Sequence, residues 1–275
     1  METKKNGTGK KNLYKILTVL FSIGFIVCAF IVVRDEIVEK KANNQFDQLA
    51  DSVMQTEVSS EAETETEAEN HLAELDVEVP GLSLDWKALE KENEDIYSWI
   101  YVPGTNVNYP VLQHPTEDDY YLERNLDHSK GLPGCIYTQR LNAKDYADGI
   151  TVLYGHNMKN GTMFKSLHNY SDRAYFNDNR YIYIYTPETV LVYEIYAACE
   201  YSNAHILYQY NYLTNEGTGE FLNALAGMRG MSNQIANDVE ITEDAKAIVL
   251  STCIANKPDN RWIVVGVLVG EEAVN

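Results

Sequence analysis

Positive charge is what this 275-residue chain has least of: 22 Lys and Arg stand against 41 Asp and Glu, a formal net charge of −19. A nucleic-acid partner needs clustered Lys and Arg to meet phosphates, so the balance argues against one. The deficit is concentrated. Residues 56–80, TEVSSEAETETEAENHLAELDVEVP, hold nine acidic residues and no Lys or Arg. Such a block repels itself and buries little, which predicts a disordered spacer, with an acidic binding tail as the alternative. Cysteine is also scarce, at four residues, and no internal repeat is visible.

One long hydrophobic run is present. Residues 16–33, ILTVLFSIGFIVCAFIVV, carry no charge over eighteen positions. As a helix they reach about 27 Å, close to the apolar thickness of a bilayer. Lys4, Lys5, Lys10, Lys11 and Lys15 precede the run with only Glu2 against them, while Arg34, Lys40 and Lys41 follow it interleaved with acids. The positive-inside rule then predicts a single-pass cell-membrane protein with a cytoplasmic N-terminus and an extracytoplasmic remainder. The alternative is a cleaved secretory signal. Against it, the run exceeds the usual ~7–15 apolar residues and no A-x-A site follows. Val27 is too large for the residue expected before a lipidated Cys28. Cys135, Cys199 and Cys253 are left outside, and three thiols cannot all pair within one chain. A free thiol in an oxidising compartment asks for a reason.

The chain divides into a cytoplasmic tail (1–13), an anchor in membrane lipid (14–34), a flexible acidic tether (35–80) and a folded domain (81–275). In the tether, Ile37, Phe46, Leu49 and Val53 are spaced for a weak amphipathic helix ahead of the acidic block. The domain opens with SLDWKALEKENEDIYSWI, where Leu84, Trp86, Leu89 and Ile96 share a helical face and Ser83 or Asp85 can cap it. Then YVPGTNVNYPVLQ, GCIYTQ, ITVLYG, YIYIYT and TVLVYEIYAACEY read as strands between turn residues. A helical window, GEFLNALAGM, precedes two last strands. The expectation is a mainly β fold: an eight-stranded barrel with N-terminal helices and an inserted helix before the last two strands.

Chemistry is expected where the last two strands meet, in LSTCIANKPDNRW. If these strands are antiparallel neighbours, Cys253 and Arg261 face each other across the connection, with Pro258 and Asn260 shaping the turn. Arg stays charged and donates in a fixed fork, which suits an oxyanion or a substrate carbonyl. A thiol with a reference pKa of about 8.5 needs a base nearby to act as a nucleophile. Of six histidines, His156 stands out because it follows the strand ITVLYG through Gly155 and opens a loop. His71 lies in the acidic block, and His114, His128, His168 and His205 read as solvated surface residues. Residue spacing alone leaves two readings open: a Cys–His–Arg set, or a buried strand-end cysteine beside a surface arginine.

The stretch TVLYGHNMKNGTMF, together with LSTC followed eight residues later by Arg, resembles the two signature regions of the sortases, in particular class B. DWKALEKENEDIYSWIYVPGTNVNYPVLQ and DDYYLERNLDHSKGLPGCIYTQ resemble the same class, and the likeness runs over roughly residues 83–270. It implies Cys253 as nucleophile, His156 as acid/base partner and Arg261 as oxyanion or substrate clamp. Ser251, Thr252 and Asn157 would line the substrate groove. Two departures stand out: Ile254 and Ala255 follow the cysteine where some class B members carry acids, and Cys135 replaces the Ser of a G-S-I-F stretch. Cys135 reads as a packed small residue.

The resemblance implies a membrane-anchored transpeptidase. It would cleave a C-terminal sorting signal of a secreted protein, LPxTG-like or a class B variant, after Thr, and pass the acyl group to a peptidoglycan amine or a pilin lysine. Peptide-bond energy is conserved in that exchange, so no cofactor and no metal are required. The competing readings are a cysteine peptidase with water as acceptor and a non-catalytic protein that binds the cell wall. Residues around 200–235 are expected to hold most of the groove that decides specificity.

Overall fold

The computed structural model describes residues 6–53, 72, 75 and 77–274. Most of the acidic block, including His71, lies outside the described residues.

A single helix, α1, runs over Asn6–Val53. Among the described residues it is the one helix long and apolar enough to cross a membrane, with a window of mean hydropathy 3.0 and no burial. Residues 12–37 are exposed, and from Val38 the helix acquires a buried stripe. Ala42 and Phe46 are buried, and the Phe46 ring meets Tyr109 edge-on at 5.5 Å. The region expected to be a flexible tether is therefore helical to Val53 and packed on the domain from Val38. The spacing of Phe46 and Leu49 had marked that face.

The next helix, α2, is shorter than the apolar spacing suggested. It covers Trp86–Glu92, capped by Asp85, whose side chain accepts from the Ala88 N–H. Ile96 does not continue it. Asn93 is extended, and Ile96–Tyr101 form strand β1. Tyr, Trp and Ile suit a pleated, half-buried surface, and pairing on both edges overrides helical periodicity there.

The remaining strands are β2 (Asn108–Leu112), β3 (Ile136–Thr138), β4 (Ile150–Tyr154), β5 (Tyr181–Tyr185), β6 (Thr189–Ser202), β7 (Gln234–Ile235), β8 (Ala247–Ile254) and β9 (Lys257–Ala273). They pair in the order β5-β1-β2-β3-β4-β8-β9-β6, and β5 also pairs with β6. That last pairing closes an eight-stranded barrel, as expected, and leaves β7 as a short extra strand on β6. Closure removes the open sheet edges. A helix at Asn215–Ala226 is inserted between β6 and β7.

The run AIVL in β8 is buried without a break, as is WIVVGV in β9. Neither strand alternates, because one face lines the barrel interior and the other is covered. This is how strands buried on both faces read in sequence.

Candidate active site

The register between β4 and β8 builds the site. These strands are parallel neighbours, with Tyr154 opposite Ser251. The Gly155 N–H donates to the Ser251 carbonyl at 3.2 Å, carrying the pairing one step further. His156 and Cys253 each lie two residues past that matched pair, so both emerge from the same end of the barrel. In sequence they are 97 positions apart. Gly155 is required for the turn: a Cβ there would stand 2.5 Å from Ile136 Cδ1 and 2.7 Å from the Phe164 ring.

The antiparallel partner on the other side supplies Arg261, which pairs directly with Cys253. The hairpin differs from expectation in its turn. It is Ala255 and Asn256, the latter at φ 62, that turn the chain, while Pro258 and Asn260 lie within β9. Between the pairs Cys253–Arg261 and Ile254–Lys257 the register slips, so Pro258, Asp259 and Asn260 bulge away from β8, while Asn260 pairs with Ser202 on β6. Arg261 Nη1 donates to the carbonyls of Pro258 at 2.9 Å and Asn260 at 3.0 Å. The guanidinium thus fastens its own bulge.

Cys253, His156, Arg261, Ser251 and Thr252 all line one cleft of about 370 Å³. Cys253 is exposed to it. Asn157 does not line the cleft, but its side-chain amide donates to the Cys253 carbonyl at 2.9 Å. The Thr252 hydroxyl is buried without a hydrogen-bond partner. A buried hydroxyl left unpaired in this way is a local cost to the fold.

His156 Nε2 lies 2.7 Å from the Leu122 carbonyl. A carbonyl only accepts, so Nε2 carries the proton and, in the neutral ring, Nδ1 is left as the proton acceptor. The orienting group is a backbone carbonyl on the segment after Asp119, not a carboxylate.

Two histidines read as surface residues belong to the site's surroundings. His168 Nε2 donates to the Cys253 carbonyl at 3.1 Å, and its ring stacks on Trp262 at 5.8 Å. Desolvation holds its pKa below the ordinary value, against the hydrogen bond to Cys253 that raises it. Trp262 Nε1 in turn donates to the Leu167 carbonyl at 2.8 Å. The 3-10 helix Phe164–Ser171, which ends the His156 loop, is thereby tied to β9 behind the nucleophile. His205 lines the far end of the cleft and hydrogen-bonds Gln139 Oε1 at 2.6 Å, with its Nδ1 buried and unpartnered. Desolvation lowers its pKa while Asp119 and Asp118 pull it up. Nothing in the local sequence of either residue gave this away; both depend on contacts more than sixty positions distant. His128, by contrast, is on the surface as read.

Of the stretch 200–235, the cleft takes only Tyr201 to Ile206. All four cysteines are free thiols. Cys135 is buried, donates to the Arg124 carbonyl at 3.3 Å, and burial pushes its pKa well up, in keeping with a packing role. No group of three or more His, Cys, Asp and Glu placed to hold a metal ion occurs among the described residues.

The profile of the Sortase domain family matches residues 100–269. Sortase B of Listeria monocytogenes is 30% identical over 185 residues, covering 66% of this chain and 72% of that protein. The crystal structure of Clostridium perfringens Sortase B superposes with a TM-score of 0.60 at 26% identity, over 66% of this chain and 98% of the other. A Staphylococcus aureus sortase B–substrate complex gives a TM-score of 0.63 over 84% of this chain and 97% of the other, at 22% identity, which speaks for the fold alone.

Proposed function

Because the chain belongs to the sortase family, with its relatives in class B, and is a sortase-type cysteine transpeptidase, we propose that Cys253, His156 and Arg261 are its catalytic groups. The observation that supports this most directly is the β4–β8 register, which delivers His156 and Cys253 to one end of the barrel beside Arg261.

In this reading the thiolate of Cys253 attacks the carbonyl carbon of the Thr in a sorting signal. A C–S bond forms and the carbonyl becomes a tetrahedral oxyanion, stabilised by the Arg261 guanidinium. The C–N bond then breaks, His156 gives its proton to the departing amine, and a thioester to Cys253 remains. An incoming amine attacks the thioester, passes a proton to His156 and releases the thiolate. Ser251 and Thr252, which line the cleft next to Cys253, are the groove residues beside the nucleophile. Asn157 acts one step back, by fixing the Cys253 carbonyl.

The substrates proposed are secreted proteins with a C-terminal sorting signal, LPxTG-like or of a class B variant. The acceptor is an amine of peptidoglycan or a pilin lysine. Helix α1, through residues 14–34, anchors the enzyme in the membrane with the catalytic domain outside.

Mixing the protein with LPxTG-like, NPxTN-like and SPxTG-like peptides and weighing it by mass spectrometry tests the assignment. A thioester adduct on Cys253 with one of the peptides is expected. Absence of any adduct across the panel would sink it. Adding an amine separates transpeptidase from peptidase: the amide product should grow at the expense of the hydrolysed one, and hydrolysis indifferent to amine would favour water as the acceptor.

A further inference from the structure

The helix that contains the apolar span does not stop at the membrane boundary. It carries on and packs against the folded domain. Val38, Glu39, Ala42, Phe46, Leu49 and Ala50 make the stripe that is buried or half-buried, at the three- and four-residue spacing of one helical face. The contacts follow the helix in order. Val38 lies against Gly131, Glu39 accepts from the Asn160 side chain at 3.1 Å, and Lys41 pairs with Asp127 at 2.7 Å. Further along, Gln45 reaches Glu92 and Phe46 packs on Tyr109. The parts of the domain touching the first docked turn are thus Gly131 and Asn160, whose loops also carry Lys130, Leu132 and Lys159.

Val38, the first residue that is docked, stands only five positions past Val33, the last of the apolar run. At 1.5 Å per residue that is roughly 7.5 Å of helix. A flexible reach cannot be built from so short a helical step. On either side of residues 54–71 the chain is packed on the domain, through Leu49 and Ala50 before and Leu72 after. The Val77 N–H then donates to the Leu72 carbonyl, and the carbonyls of Glu78 and Pro80 accept from Tyr183 and Tyr185.

We propose that the chain holds its catalytic domain directly on the bilayer surface, docked through Val38–Ala50, with the loop tips at Lys130–Leu132 and Lys159 meeting phospholipid headgroups. The residues at these tips suit that layer. Leu132 is 44% exposed, and Lys159 and Lys130, the latter in a loose, exposed ion pair with Glu123 at 3.6 Å, are exposed cations that an anionic lipid surface attracts. The path from the membrane to the domain is then helix α1 itself. This rests on the reading of residues 14–34 as a membrane anchor.

The test uses the full chain in lipid vesicles with Cys28→Ser and Cys253→Ala, so that a fluorophore on Leu132→Cys reports alone; Cys135 and Cys199 are buried. Nitroxide lipids labelled at the headgroup should quench that fluorophore strongly. Deletion of residues 57–69 should leave quenching unchanged, whereas ten Gly and Ser residues inserted between Asp35 and Glu36 should reduce it severalfold. Phe46→Asp should reduce it too, by undocking the helix. A chain that floats with the vesicles yet shows no quenching overturns the proposal alone, as does quenching that changes with the deletion and ignores the insertion. A chain that fails to float overturns the anchor reading and this one together.

Discussion

The two walls of the cleft are built in different ways. One is the β8–β9 hairpin, where Cys253 and Arg261 are a single antiparallel pair fixed by the ladder on both sides of it. The other is the loop from Gly155 to the 3-10 helix, where His156 is held by the carbonyl of Leu122 and the loop is tied to the hairpin by Asn157, His168 and Trp262. The first wall is local in sequence and overdetermined by pairing. The second depends on a few side chains reaching across the barrel end. Chemistry that needs both is therefore expected to be sensitive to substitutions in the loop that leave the hairpin folded.

The strongest breaks remove the reacting group of each wall in turn. Cys253→Ala should leave no acyl-enzyme in mass spectrometry. His156→Ala should cost about 10²–10⁴-fold in the acylation rate, the usual weight of a positioned acid/base. Next comes Arg261→Lys, which keeps the charge and loses the fork. Its loss of an oxyanion donor is expected to lower single-turnover acylation by about 10²–10³-fold, with only a small fall in melting temperature from the lost bonds to the Pro258 and Asn260 carbonyls. A rate like the parent's would show that the bidentate geometry is not used.

Gly155→Ala addresses the hinge of the loop wall alone. The added methyl meets Ile136 and Phe164, and overpacking of this kind costs about 1–3 kcal/mol, readable as a lowered midpoint in urea. The loop's ties are a smaller lever. Asn157→Ala or His168→Ala removes one of two donors to the Cys253 carbonyl and should slow acylation about tenfold, near the ~1.4 kcal/mol of a good hydrogen bond. The circular dichroism of the domain should not change.

The smallest expected effect is a pH dependence. Desolvation depresses the pKa of His168 in the folded state, so the unfolded chain binds the proton first as pH falls. The neutral ring's contribution is fully present above its unfolded value of about 6.5 and is lost as pH drops through that value towards the folded one. Melting temperatures across pH 5–8 should fall on the acid side, and less so in His168→Gln. An identical acid slope in that variant would remove His168 as the cause.

Much of this was legible in the residues. Val, Ile and Tyr runs between turn residues marked the strands, and the cysteine and arginine eight apart marked a hairpin with both at its mouth, because antiparallel pairing of adjacent runs is a local consequence of chain reversal. The helix reading through Ile96 failed because apolar spacing cannot tell a helical face from a strand that pairs on both edges. The place of the turn was missed because a bulge is set by what the strand pairs with, here Tyr201 and Ser202 on β6, rather than by the Pro and Asn that sit in it. His168 and His205 looked like surface residues because their partners, Cys253 and Gln139, are remote in sequence.

By itself the sequence determined the apolar span, the strand inventory, the Gly155–His156 turn and the Cys253–Arg261 pairing, all products of short-range pattern and stereochemistry. The tertiary structure decided the parallel alignment of β4 with β8 that puts His156 beside Cys253. It also decided the docking of α1 from Val38 onward and the two donors, Asn157 and His168, on the Cys253 carbonyl. Each of these joins segments tens of residues apart, and such contacts form only when burial and barrel closure outweigh the entropy of bringing the chain together.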